Sequence, residues 1–171
     1  MPLVGQPGRA VPLQAGRPPL HGPHPDLHLG GWANPVADPA AQMRFLLDRD
    51  VNADFFLTQI VSHHQQAQVE AFLAEGPRLG VTMPGVFGVF YYRSANPQTL
   101  AMLSRFLPVP VEALTQEFSS GATPIDVCAR TIRFLIDAGA RHFYVSNLPG
   151  KRTAATLNTI LEKAGVTQHS A

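Results

Sequence analysis

Gln59 offers the clearest recognition chemistry in the chain. It follows Thr58 near the end of the apolar run DFFLTQIV (residues 54–61), which has the length of a strand. A glutamine amide carries two donors and one acceptor, the set needed to read the edge of a heterocyclic amide such as a pterin. A polar residue satisfied locally at a strand end is the equal alternative.

Other polar and aromatic residues follow the remaining apolar runs. Tyr91 and Tyr92 could form an aromatic wall for a planar ligand, or pack on the core of their own loop. Asn147, with Lys151 and Arg152, precedes the last helix, where cations and a helix start suit a carboxylate or phosphate; a solvated basic helix end is the alternative. The residues after the first run are Trp32, Asn34 and Asp38.

The histidines and the cysteine do not predict a metal site or a nucleophile. His21, His24 and His28 have the spacing H-x2-H-x3-H but lie in a proline-rich segment without a carboxylate or thiol framework. His63 and His64 are expected to diverge at a helix start. Cys128 falls inside a helix and is read as a core thiol. No dinucleotide-binding, P-loop or zinc-protease motif occurs.

Alternating strands and helices predict an α/β fold with a parallel sheet. Residues 1–26 hold much of the proline and glycine and are expected to be an irregular leader. About four parallel strands with outer helices then follow in residues 27–171. Such a sheet is either a small open doubly wound sheet or part of a (β/α)8 barrel. The predicted strands are 27–32, 54–61, 81–90 and 141–146, and the predicted helices begin near residues 39, 63, 97, 111, 124 and 151.

Composition limits the class of protein. Thirteen Lys and Arg against twelve Asp and Glu give a net charge of +1, too little for nucleic-acid binding. No apolar run is long enough for a membrane span and no signal peptide is apparent, so we expect a cytoplasmic protein. Only 15% of residues are charged, which favours a surface partly covered by another chain, including a possible homo-oligomer.

Three segments in order, DFFLTQIV, VTMPGVFGVF and HFYVSN, resemble the C-terminal half of the methylenetetrahydrofolate reductase family. The resemblance covers about residues 27–165. It implies a partial (β/α)8 TIM barrel and the reduction of 5,10-methylenetetrahydrofolate to 5-methyltetrahydrofolate with NAD(P)H, commonly through FAD.

The resemblance also implies roles for particular residues. Folate contacts are expected at Gln59, Thr58, Tyr91, Tyr92 and Asn147, and flavin contacts at Trp32, Asn34, Asp38 and Arg49. The chain departs from the family where Asp48 stands at a position commonly held by lysine, and an acid there repels a pyrophosphate. Folate binding is therefore favoured over flavin binding, and hydride transfer directly from nicotinamide stays open.

The family's general acid lies in its N-terminal half, which residues 1–26 cannot supply. The catalytic residue is thus unknown, and a second chain or an N-terminal half is expected to complete the barrel. Two alternatives remain: a non-catalytic folate-binding or assembly fragment, and an unrelated small α/β protein.

Overall fold

A computed structural model describes residues 27–48, 51 and 53–166. The predicted leader, residues 1–26, lies outside this part. The strands are β1 (Gly30–Ala33), β2 (Phe55–Val61), β3 (Gly85–Phe90) and β4 (His142–Ser146). The helices are α1 (Pro39–Leu46), α2 (Gln66–Leu79), α3 (Pro97–Leu103), α4 (Val111–Ser119), α5 (Pro124–Asp137) and α6 (Thr153–Lys163). Short 3₁₀ turns at His63–Gln65 and Gly150–Arg152 lead into α2 and α6.

Local capping explains where the helices begin. Asp38 caps α1 through its Oδ1, which accepts the N–H of Ala41 at 2.6 Å. Thr123 and Asp126 form a reciprocal capping box at the start of α5. In both helices proline holds the first position, where its missing N–H costs nothing. Both helix starts were predicted from these signals and are confirmed.

The four strands form one parallel sheet in the order β1-β2-β3-β4. This confirms the predicted α/β class with a parallel sheet. The order never reverses, as it would in a doubly wound sheet. β3 begins at Gly85, four residues later than predicted, because Pro84 has no N–H to offer the ladder.

One face of the sheet carries the main core. Phe56 and Phe87 pack edge-to-face against Phe72 of α2, with ring centroids 6.1 and 6.2 Å away. This cluster also takes in buried residues of α1, α5 and α6. A smaller cluster forms around Leu100 of α3 and Leu114 of α4. The helices around the main cluster thus cover the same side of the sheet.

The opposite side of the sheet, here called the open face, is apolar. Phe90 at the carboxyl end of β3 packs against the smaller cluster, whereas Trp32, Leu57 and Val86 belong to neither cluster. The alternation along each strand and the pairing of Trp32 with Leu57 and of Leu57 with Val86 place their side chains on this face. Leu57 is 39% exposed. The residues of the open face include Trp32, Phe55, Leu57, Ile60, Val86 and Tyr144, and Ile60 is buried.

A helix that crosses a bilayer is long and apolar. No helix within residues 27–48 and 53–166 meets both conditions for crossing a membrane.

Candidate functional site

A break in the β2–β3 register lies at the centre of the candidate site. Leu57 pairs with Val86 but Ile60 pairs with Gly88, so β2 holds an extra residue between these pairs. A bulge of this kind removes ladder bonds and redirects side chains. The buried hydroxyl of Thr58 replaces one ladder acceptor and takes the N–H of Gly88 at 3.0 Å.

Tyr144 closes the other side of this bulge. Its hydroxyl donates to the carbonyl of Thr58 at 2.7 Å, reaching across β3 from β4. The ring passes directly over Gly88, where an added Cβ would lie 2.6 Å from Cζ of Tyr144. Burial raises the pKa of Tyr144, which keeps the phenol a donor at neutral pH. Sequence reasoning missed Tyr144, although a glycine inside a strand signals such a close approach.

Gln59 lies within the bulge, between Leu57 and Ile60, and is half-buried. The bulge interrupts the alternation between Leu57 and Ile60, so the pairing of neighbouring strands does not assign the side chain of Gln59 to either face of the sheet. Its Oε1 accepts the N–H of Ile60 at 3.1 Å, while the contacts within the described chain include no acceptor for Nε2. The predicted recognition residue is therefore oriented by its own strand and retains an amide donor.

Tyr91 and Tyr92 follow β3 and both lie in the core. Tyr91 is 7% exposed in the main cluster, and Tyr92 is 5% exposed in the smaller one, 4.9 Å from the ring of Phe90. Burial raises the pKa of both phenols. Of the two interpretations considered from the sequence, the packed loop matches these positions, since neither ring offers an open wall.

Asn147 ties the end of β4 to the end of β3. It has a left-handed φ of 68°, and its Nδ2 donates to the carbonyl of Tyr91 at 3.0 Å. Asparagine is among the residues that tolerate this conformation best. Lys151 and Arg152 lie on the exposed 3₁₀ turn before α6.

The polar side chains of the loop after β1 accept hydrogen bonds from nearby backbone N–H groups. Trp32 lies within β1, half-buried on the open face, one residue before the strand ends. Asn34 Oδ1 accepts the N–H of Val36 at 3.2 Å, and Asp38 caps α1. Arg49 lies outside the described residues.

His63 and His64 form a second cluster beside the carboxyl end of β2, on the helix side of the sheet. The expectation that they diverge is wrong, because the 3₁₀ turn and the position of α4 bring both rings to Glu117. His63 Nε2 lies 3.2 Å and His64 Nε2 2.9 Å from Glu117 Oε2. Arg130 of α5 binds the other carboxylate oxygen. The sequence gives no signal for a partner more than fifty positions away.

Electrostatics in this cluster favour a neutral imidazole beside a charged carboxylate. Burial and the neighbouring His64 lower the pKa of His63, more than Glu117 raises it. Burial alone would raise the pKa of Glu117, but hydrogen bonds from Arg130 and His64 lower it overall. Glu117 is thus ionised at neutral pH.

The remaining candidates from the sequence are the other histidines and Cys128. His28 is exposed and lies 3.7 Å from Asp54, while His21 and His24 are outside the described part. Cys128 is fully buried in the main cluster, and burial raises its pKa to about 12. That position confirms the interpretation as a core thiol.

No protein-family model matches this chain, and no curated protein matches it.

Proposed function

We propose that the chain binds a reduced folate over the open face and forms the substrate-holding half of a methylenetetrahydrofolate reductase-like barrel. The observation that carries the proposal is Gln59 at the β2 bulge: its Oε1 is fixed by Ile60, and its Nε2 has no acceptor in the described chain. A pterin carbonyl can accept from Nε2, and apolar side chains of the open face offer area for a flat ring.

The sheet order supports the partial-barrel half of this proposal. A parallel sheet whose strands follow chain order, with its helices packed on one side, curls into a barrel when it is extended. The open face then becomes the barrel interior, and a complementary set of βα units covers it and pairs with the outer edges of β1 and β4. Leaving these edges bare is a liability for aggregation.

The loop after β1 does not suit FAD. Asn34 and Asp38 already accept backbone N–H groups, and residues 29–38 contain no lysine or arginine. A pyrophosphate there would face the Asp38 carboxylate. The proposed reaction therefore uses NAD(P)H as the direct hydride donor: an acid protonates N10, the five-membered ring opens to an iminium at N5, and hydride adds to the methylene carbon.

A folate-binding module without reductase activity is the second candidate. Asp38, which follows β1, caps α1, and Glu117, beside the carboxyl end of β2, is bound by Arg130 on the helix side. Neither is free to act as the general acid over the open face. Folate binding without oxidation of NADH by the purified chain would favour this candidate over the reductase.

Trp32, the chain's single tryptophan, makes binding measurable because it lies on the open face. We expect tetrahydrofolate or 5-methyltetrahydrofolate to change its fluorescence on titration. Gln59→Ala should weaken that binding about tenfold, the cost of one lost hydrogen bond of ~1.4 kcal/mol, and should leave NADH affinity unchanged. Gln98→Ala on the exposed surface of α3 is the matched control. Absence of folate binding, or equal loss for both ligands, would refute the proposal.

A further inference from the structure

Two imidazole nitrogens and one carboxylate oxygen converge between the end of β2 and α4. His63 Nε2, His64 Nε2 and Glu117 Oε2 all lie within 4.8 Å of one another. The side chains of His63, His64 and Glu117 are 18%, 22% and 8% exposed; His64 is an exposed residue, whereas Glu117 is largely covered. The two rings stand 4.0 Å apart, centre to centre.

Thr131 links the ring of His63 to α5. The hydroxyl of Thr131 lies 2.9 Å from Nδ1 of His63 and 3.2 Å from the carbonyl of Val127. When this hydroxyl donates to Val127, its oxygen accepts from Nδ1, and neutral His63 then has a lone pair on Nε2. That lone pair faces Glu117 Oε2, another acceptor, at 3.2 Å. Two facing acceptors repel unless a cation lies between them.

We propose that His63 Nε2, His64 Nε2 and Glu117 Oε2 bind a divalent transition-metal ion, with Zn²⁺ as the best fit. Two imidazoles and a carboxylate are an established donor set for zinc, whereas magnesium and calcium prefer oxygen alone. Bonds of about 2.0–2.1 Å in a tetrahedron place ligand atoms ~3.3 Å apart. The observed separations of 2.9 and 3.2 Å from the carboxylate oxygen need only a slight opening.

Neighbouring residues hold the three donor side chains in position. Thr131 holds the His63 ring, and Arg130 binds Glu117 Oε1, which leaves Oε2 for the metal. The capping box of Ser62 and Gln65 fixes the 3₁₀ turn that carries both histidines. Such support orients metal ligands and determines the tautomer of a ligating histidine.

A shallow depression gives the site an entry path and a place for a fourth ligand. Its wall includes His64, Glu117 and Arg130. A water molecule there would complete a tetrahedral coordination shell. The metal would join the turn after β2 to α4 directly and to α5 through Thr131 and Arg130, so we assign it a structural role in docking these helices.

The test is titration of the chelator-treated full chain with Co²⁺ and then Zn²⁺. We expect one equivalent of Co²⁺ with the visible absorption of a four-coordinate ion, displacement by Zn²⁺, and a rise in Tm with Zn²⁺. His64→Ala and Glu117→Gln should each weaken binding at least tenfold, and Thr131→Val about tenfold through the loss of His63 orientation.

Two histidine variants separate this site from adventitious binding. His24→Ala breaks the H-x2-H-x3-H segment, and His142→Ala removes an exposed histidine on β4; both should retain full affinity. Circular dichroism establishes that each variant is folded, and His64→Gln replaces His64→Ala if that variant fails to fold. A three-ligand site should have a Kd for Zn²⁺ below ~100 µM, so the absence of binding at that concentration overturns the proposal. The proposal is also overturned if His24→Ala abolishes binding while His64→Ala does not.

Discussion

Tyr144→Phe isolates the hydrogen bond that closes the β2 bulge. The substitution keeps the ring over Gly88 and removes only the hydroxyl that donates to the Thr58 carbonyl at 2.7 Å. A net hydrogen bond contributes ~1 kcal/mol, and leaving its buried partner unsatisfied raises the cost toward ~2 kcal/mol. We therefore expect the free energy of unfolding to fall by about 1–2 kcal/mol.

Urea unfolding followed by circular dichroism measures this loss. With an m-value of about 2 kcal/mol/M, the midpoint should fall by ~0.5–1 M at unchanged slope. Tyr92→Phe is the control: Tyr92 is more deeply buried than Tyr144, but its hydroxyl has no hydrogen bond within the described chain. Equal losses in the two variants, or no loss in Tyr144→Phe, would contradict the account of the bulge.

Three further predictions concern packing, pH and thiol reactivity. Gly88→Ala forces a methyl group into the Tyr144 ring and should cost about 1–3 kcal/mol in urea unfolding, whereas Gly150→Ala, with open space around its Cβ, should cost much less. Hydrogen bonds from Lys163 and Thr123 lower the pKa of Asp126. Its stabilisation is therefore complete above the unfolded-state pKa of about 4 and is lost as pH falls below it. Asp126→Asn should flatten the acid limb of stability against pH, and an unchanged limb would contradict this. Cys128 should react with a thiol reagent only as fast as the chain unfolds; rapid labelling of native protein would refute its core position.

Features fixed by neighbouring residues were predictable from the sequence. Asp38 before Pro39, and Thr123 before Pro124, mark helix starts because each cap satisfies N–H groups within its own first turn. Apolar runs separated by helices likewise predicted a parallel sheet, since parallel strands require long crossovers.

Contacts between distant parts of the chain were not predictable. The bond from Tyr144 to Thr58 and the convergence of His63 and His64 on Glu117 depend on strand register and on where α4 docks. A bulge shifts register by one residue, and hydrophobic alternation in a short strand does not encode that shift. The candidate site was thus predicted at Gln59, but its neighbours required the structure.

The chain-order pairing of the strands also bears on how the sheet assembles. Gly30 pairs with Phe55, and Phe56 pairs with Gly85, after connections that each contain one α-helix. Val86 pairs with His142 only after α3, α4 and α5. The connection between β3 and β4 is about twice as long as each of the other two, which adds ~0.6 kcal/mol to the entropic cost of closing it. Pairing of β4 with β3 therefore carries the largest closure entropy of the three strand pairings in the sheet.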